Sequence, residues 1–211
     1  MDASLNTLLM RYPQLVGMKA DLRKAAELLI KTAREGKLIL VAGNGGSAAD
    51  SEHIVGELMK SFIKARPLDE ELKARLVEVD PSLGVHIAAH LQKGIPAICL
   101  SSHSALMSAF ANDVDSSLSY AQQVAGYGSE GALFWGISTS GNARNVAQAA
   151  VTAKAMGMAV LGMTGESGGT LKGYCDVCLR VPETETYKVQ ELHLPIYHWL
   201  CIVLEEMLFG G

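Results

Sequence analysis

Residues 37–64 read KLILVAGNGGSAADSEHIVGELMKSFIK, three local patterns in a row. Lys37–Ala42 is an apolar run, Gly43-Asn44-Gly45-Gly46-Ser47 is a turn, and Ala48–Lys64 has helical spacing with Ile54, Val55, Leu58 and Phe62 inward. A buried strand feeding a glycine turn and a helix is one unit of an α/β protein. Four more apolar runs follow at Pro96–Ser101, Ala132–Ser138, Met158–Met163 and Asp176–Val181. Helical patterns at Ser104–Asn112, Ser117–Val124 and Ala143–Met156 lie between them. The alternation predicts an α/β fold: a doubly wound, five-stranded parallel sheet covered on both faces, with ligands at the carboxyl ends of the strands.

Both ends read as long helices. In Met1–Glu35, Leu15, Leu22 and Leu29 recur at seven with Met18 and Ala25 on the same side, and Gly36 supplies the stop. The last helical pattern runs from Tyr187 to Leu208. Pro67–Gly94 differs: a charged stretch (Asp69–Lys73), an Asp80-Pro81 turn and a short amphipathic segment from Val85 to Leu91. It reads as an insertion within a single domain spanning residues 1–211.

The 211 residues suit one domain, and 49 % hydrophobic against 19 % charged residues excludes a disordered chain. Net charge is −4, so no overall basic field draws the protein to nucleic acid or an anionic membrane, and any anion site must be local. Met1–Val16 carries Asp2, Asn6, Arg11 and Gln14, unlike a signal peptide, and no run approaches the ~18 apolar residues of a membrane span. Four cysteines in apolar contexts fit reduced thiols, so the expected compartment is the cytoplasm. Cys175-x-x-Cys178 falls inside a strand-like run without a second pair for a zinc ribbon, which favours a core reading over a redox or zinc motif.

The glycine turn permits close backbone approach and presents helix-start N–H groups to an anion. It fits G-x-G-x-x-A, but a dinucleotide site expects an acidic residue at the end of the next strand, ~20 residues on. Position 63 lies in a helical pattern, and the next strand ends at Ser101-Ser102. A Walker loop is excluded because no Gly-Lys-Ser/Thr follows. Ser138-Thr139-Ser140-Gly141-Asn142 repeats strand, polar turn and helix, and its hydroxyls can hold a phosphate; the plainer alternative is a helix cap. His53 and Glu57 are four apart on one helix face. Gln190 and His198 are eight apart, about 80° around an ideal helix. Two His, one Glu and one Gln in these places read as a metal or an acid/base site.

The runs AGNGGSAADSEHIVGEL, Ala111-Asn112-Asp113, GISTSGNARNV, GMTGESGG and KVQELHLPIYHWL together resemble the phosphoheptose isomerase family of the sugar isomerase (SIS) fold, which is flavodoxin-like. They occur in family order from Leu38 to the C-terminus, apart from Pro67–Gly94. The resemblance implies conversion of sedoheptulose 7-phosphate to D-glycero-D-manno-heptose 7-phosphate, for bacterial surface glycans, in a homotetramer with active sites between subunits. It implies zinc on His53, Glu57, Gln190 and His198, sugar contacts at Asn44, Gly45, Gly46, Ser47, Asn112 and Asp113, and phosphate contacts at Ser138, Thr139 and Ser140. An enediol route would use Glu57 as base and His198 as acid, with Glu57 and Gln190 also touching substrate.

Three departures stand out: Ala143 replaces a further serine of the phosphate loop, the link after the metal helix is much longer, and Pro195 interrupts the last helix. The alternatives are non-catalytic. A replication-initiator-binding regulator resembling the family lacks the carboxylate and the final histidine, both present here; a phosphosugar sensor would need a DNA-binding part, which is not visible. The apolar stripes Leu15, Met18, Leu22, Ala25, Leu29 and Leu192, Ile196, Trp199, Val203, Met207 exceed what one sheet covers, which predicts a tetramer bundled through its terminal helices. Residues 67–94 are then expected at the rim, as a lid, an added contact or a passive loop.

Overall fold

A computed structural model describes residues 1–210. Its strands are β1 (Ile39–Ala42), β2 (Ala97–Cys99), β3 (Leu133–Ile137), β4 (Ala159–Thr164) and β5 (Val177–Arg180). All neighbours pair in parallel, in the order β2-β1-β3-β4-β5. Every residue of β1 and β3 is buried, which is why these runs read as unbroken apolar stretches rather than alternating ones. The order reverses between β1 and β3, where ligands bind a doubly wound sheet. Since Ala42 pairs with Gly136, the turns following β1 and β3 open side by side.

The helices are α1 (Asp2–Arg11), α2 (Lys19–Arg34), α3 (Gly46–Met59), α4 (Glu70–Val79), α5 (Leu83–His90), α6 (Ser104–Phe110), α7 (Ser119–Tyr127), α8 (Arg144–Ala155) and α9 (Thr186–Phe209). Successive strand side chains point to opposite faces. Ile39, Val41, Leu133, Trp135 and Ile137 pack with α1, α2, α3 and α9, whereas Leu40, Ala42, Phe134 and Val160 pack with α7 and α8.

The N-terminal region is two helices, not one. Tyr12 (φ −130°, ψ 73°) precedes Pro13, which disfavours helical backbone at the residue before it and lacks an N–H; a tight turn, Pro13–Met18, follows. The helix after the glycine turn also stops early, at Met59, because Lys60 is extended and the next N–H groups, Phe62 to Lys64, donate to the Glu205 carboxylate of α9. The inserted segment is not a loop. It holds α4 and α5, with Gly84 seated so closely on the Leu76–Val77 backbone that a Cβ would fall 2.1 Å from the Leu76 carbonyl oxygen. Its neck is closed by a Pro67–Gln92 bridge and by Lys93 N–H donating to the Arg66 carbonyl at 2.7 Å.

The two apolar stripes expected to face another subunit are covered within the chain, although Met10, Val16 and Leu194 of the terminal regions are exposed. Leu15, Met18, Leu22, Ala25, Leu29, Leu192, Ile196, Trp199 and Val203 are all buried within one chain, and of the two stripes only Met207 is exposed. Four helices, rather than two, cover that face of the sheet, so the stripes give no argument for a tetramer. The expectation that no run is apolar enough to span a membrane is also corrected: α9 reaches a mean hydropathy of 1.2 and is long enough. With 61 % of that window buried, it is apolar as a core helix. Pro195 leaves the Glu191 carbonyl without its helical donor, yet α9 runs through it unbroken.

His193 of α9 is fully buried, its Nε2 3.3 Å from the Thr164 carbonyl oxygen, and burial pushes its pKa down from 6.5 to about 4. Between those values the unfolded chain binds a proton that the folded chain refuses, so stability falls as pH falls through that window. The loss reaches about 3 kcal/mol near the lower end. Urea midpoints from neutral pH downward should drop more steeply for this protein than for His193→Gln; equal slopes would discard the assignment.

Candidate active site

Gly45 opens α3 at φ +56°, in the left-handed region that favours glycine. Gly46 leaves room for Gln190, since a Cβ there would lie 2.4 Å from Gln190 Nε2 and displace that side chain. The missing Cβ lets Gln190 of α9 reach the turn. Asn44 exchanges amide hydrogen bonds with Asn145 of α8 at 2.8 and 2.9 Å, and Tyr120 of α7 donates to the Gly43 carbonyl at 2.7 Å. Ser47 is buried beneath the turn.

In the neighbouring mouth, Ser138 Oγ accepts the Ala143 N–H at 3.3 Å and Ser140 Oγ accepts the Asn142 N–H at 3.1 Å. Both hydroxyls brace the turn before α8 while keeping a proton to donate to a phosphate; neither is a helix cap, because the N-cap residue is Ala143 and makes no side-chain cap bond. Thr139 holds the floor through its carbonyl, which accepts Gly165 N–H at 2.8 Å. At Gly141 (φ +68°) a Cβ would strike the Gly168 carbonyl oxygen at 2.1 Å.

The titratable cluster lies further along α3 and α9, which run side by side in parallel: Gly46 meets Gln190, and seven residues on His53 meets Tyr197 and His198. His53 Nε2 faces Glu57 Oε1 at 3.4 Å, Lys60 Nζ donates to Glu57 Oε2 at 2.6 Å, and the His198 ring stands edge-on to His53 at 5.0 Å. The Tyr197 hydroxyl is 3.3 Å from Asp50 Oδ1 and 3.1 Å from His53 Nδ1. Burial and then the neighbouring His53 hold the His198 pKa below its ordinary value, against the pull of Glu57. Burial also raises that of Asp50, against its bond to Tyr197 and the charge of His53. A cavity of about 350 Å³ opens beside His198, lined also by Phe62, Pro195, Ser4, Thr7 and Arg11.

Of the residues singled out from the sequence, His53, Glu57 and His198 come together, the glycine and serine mouths adjoin, and Gln190 joins the glycine mouth. Asn112 and Asp113 lie on an exposed π-helical turn following α6 and hydrogen-bond to each other at 2.8 Å. Asp50, Lys60 and Tyr197 went unread. Asp50 sits three residues before His53 on its own helix face, a spacing that could have found it.

Zinc takes nitrogen and carboxylate donors, and this set suits it in kind. His198 Nε2 is buried with no partner among the described residues. Tyr197 donates to Asp50 and engages His53 at Nδ1, which directs His53 Nε2 toward Glu57 Oε1. As the side chains stand, no three His, Cys, Asp or Glu among the described residues close on one point, and Lys60 occupies one Glu57 oxygen.

Residues 14–79 and 91–200 match SIS domain family models, and the gap between them falls in the α4–α5 insertion. The chain is 36 % identical over 191 residues to phosphoheptose isomerase of Burkholderia pseudomallei, covering 90 % of this chain and 84 % of that protein. It belongs to the phosphoheptose isomerase family. A second relative, phosphoheptose isomerase 2 of Campylobacter jejuni, is 35 % identical over 90 % of this chain and 81 % of its own. Within the family, a solved structure from Neisseria gonorrhoeae superposes with a TM-score of 0.73 at 27 % identity, covering 97 % of this chain and 94 % of that one. One from Francisella tularensis gives 0.74 at 25 %, over 97 % and 96 %. The family's enzymes are sugar-phosphate isomerases by name, and this chain carries their five-stranded parallel fold.

Proposed function

We propose that this protein is a cytoplasmic, homotetrameric isomerase that converts sedoheptulose 7-phosphate to D-glycero-D-manno-heptose 7-phosphate through an enediol. The observation that carries the reading is the meeting of Glu57 with His53 and His198 where α3 and α9 run side by side, in a chain whose two polar mouths share the sheet's switch point. Glu57 takes the proton from the carbon beside the carbonyl and returns it one carbon along; His198 protonates the oxygen. Lys60 and His53 hold the carboxylate, and Asp50 holds His53 through Tyr197. His53, Glu57, His198 and Gln190 would hold zinc, which supplies polarisation of the carbonyl and hydroxyl oxygens when bound. Ser138, Thr139 and Ser140 take the phosphate, and Asn44 to Ser47, with Asn112 and Asp113, take the sugar.

Eleven helical residues, roughly 16 Å, separate Gly46 from Glu57. That separation supports a site completed by a second copy, one chain supplying the mouths and another the acid and base. The test is direct: purified protein is assayed with sedoheptulose 7-phosphate, its metal is counted and its mass in solution measured. Absence of turnover with zinc restored would leave a binding protein, and a monomer would remove the shared site. Ser140→Ala should raise KM more than it lowers kcat, by roughly two- to tenfold for one hydrogen bond. An unchanged KM would move the phosphate elsewhere.

A further inference from the structure

Cys175 and Cys178 converge over Gly162 of β4, which pairs with Cys178 of β5 in the sheet. A Cβ on residue 162 would lie 2.5 Å from Cys175 Sγ and 3.3 Å from Cys178 Sγ, so both sulfurs occupy the space left by the missing side chain. Both residues are half-buried, whereas Cys99 and Cys201 are buried. Cys178 Sγ also lies 3.8 Å from the Thr164 hydroxyl, and Lys172 and Arg180 flank the pair in the chain. The nearby Cys175 sulfur draws the Cys178 thiol down to about 7 against burial, with help from Thr164, Arg180 and Lys172. The same contact, together with burial, pushes Cys175 up. Such an asymmetry makes Cys178 the attacking sulfur and Cys175 the resolving one.

We propose that Cys175 and Cys178 form a dithiol site that a low-molecular-weight disulfide oxidises to an intramolecular disulfide. The Cys178 thiolate attacks one sulfur of the oxidant, its S–S bond breaks, and one thiolate leaves. Cys175 then gives its proton to water and displaces the second thiolate from the mixed disulfide. Two protein thiols become one disulfide, and the two electrons reside in two released thiols.

Oxidation bears on the serine mouth through a short path. The Cys175 thiol reaches the Leu171 carbonyl at 3.2 Å, the Leu171 N–H donates to the Gly141 carbonyl at 2.9 Å, and Thr170 donates to Asn142 Oδ1 at 3.0 Å through both its N–H and its hydroxyl. The disulfide takes the thiol proton from Leu171 and loosens the turn that supports Ser138–Asn142. This consequence rests on the sugar-phosphate reading given above; the dithiol site does not.

The full-length protein is incubated with oxidised glutathione, alkylated and digested with trypsin. Because Lys172 and Arg180 flank the pair, one peptide, Gly173–Arg180, carries both cysteines. It should lose two hydrogens while Cys99 and Cys201 stay reduced. Cys175→Ser should trap glutathione on Cys178, and Cys178→Ser should leave Cys175 to be alkylated. Alkylation of both cysteines in the unsubstituted protein, or glutathione persisting on Cys178 there, overturns the site. For the coupling, the disulfide form should show KM for sedoheptulose 7-phosphate raised roughly two- to tenfold, reversed by dithiothreitol. An unchanged KM with the disulfide formed overturns the coupling. Absence of activity in both redox forms defeats the isomerase reading instead, and the peptide mass still decides the dithiol site.

Discussion

Glu57→Gln should lower turnover by roughly 10²–10⁴-fold while the protein remains folded. The amide matches the carboxylate in size and still accepts a hydrogen bond from Lys60, so the end of α3 has no reason to move. It cannot take a proton from carbon. Steady-state kinetics with sedoheptulose 7-phosphate, alongside circular dichroism, separates the two effects. Turnover within a few-fold of the unsubstituted enzyme would remove Glu57 from the proton transfer, and an unfolded variant would assign the carboxylate a structural role.

The second large effect lies behind that residue. Glu205 and Arg66 are almost fully buried, and their ion pair is 2.8 Å long. The carboxylate accepts N–H groups from Phe62, Ile63 and Lys64 at 2.8 to 2.9 Å, and the guanidinium donates to the Glu57 and Leu58 carbonyls at 3.1 and 2.8 Å. Burial opposes the Glu205 charge, but these bonds outweigh it and hold its pKa below the usual carboxylate range. Glu205→Leu leaves a buried cation and three backbone donors without partners. The expected loss is about 3–5 kcal/mol, on the order of 10 °C in Tm. Arg66→Met with Glu205→Leu should recover part of it, because no unpaired charge remains. A shift of only a degree or two in the single variant would show that water or another group replaces the carboxylate.

This pair also explains how a long insertion is tolerated beside α3. Arg66 ties down the last turn of α3 immediately before Pro67, and the neck bonds at Pro67–Gln92 and Arg66–Lys93 return the chain to the sheet. No residue of α4 is buried, and the buried Gly84 and Ala88 of α5 belong to neither core cluster, so the hairpin adds surface without altering the core.

Much of the candidate site could be read along the chain because its parts are local. Gly45, Gly46, Ser138 and Ser140 each lie where a strand turns into a helix, and His53 with Glu57 shares one helix face. Lys60 and Asp50, though local, escaped because a charged residue on a helix is ordinarily a solvated one. Tyr197 escaped because only its contact with His53, on another helix, distinguishes it from a core aromatic. The break at Tyr12-Pro13 follows from elementary sterics, whereas the leucine heptad begins only at Leu15 and says nothing about the residues before it.

The amino-acid sequence by itself determined the number, kind and parallel pairing of the strands and the two polar turns that follow β1 and β3. Those features depend on short-range apolar runs and glycine backbone freedom. Only the tertiary structure decided that the apolar stripes of α2 and α9, Met207 apart, are covered within one chain, because exposure depends on what else covers the same face. It also decided that Glu205 closes the turn following α3, and that Cys175 and Cys178 share the hollow above Gly162. Contacts between residues far apart in the chain, or across the sheet, carry no local periodicity, since they are fixed by how the layers pack.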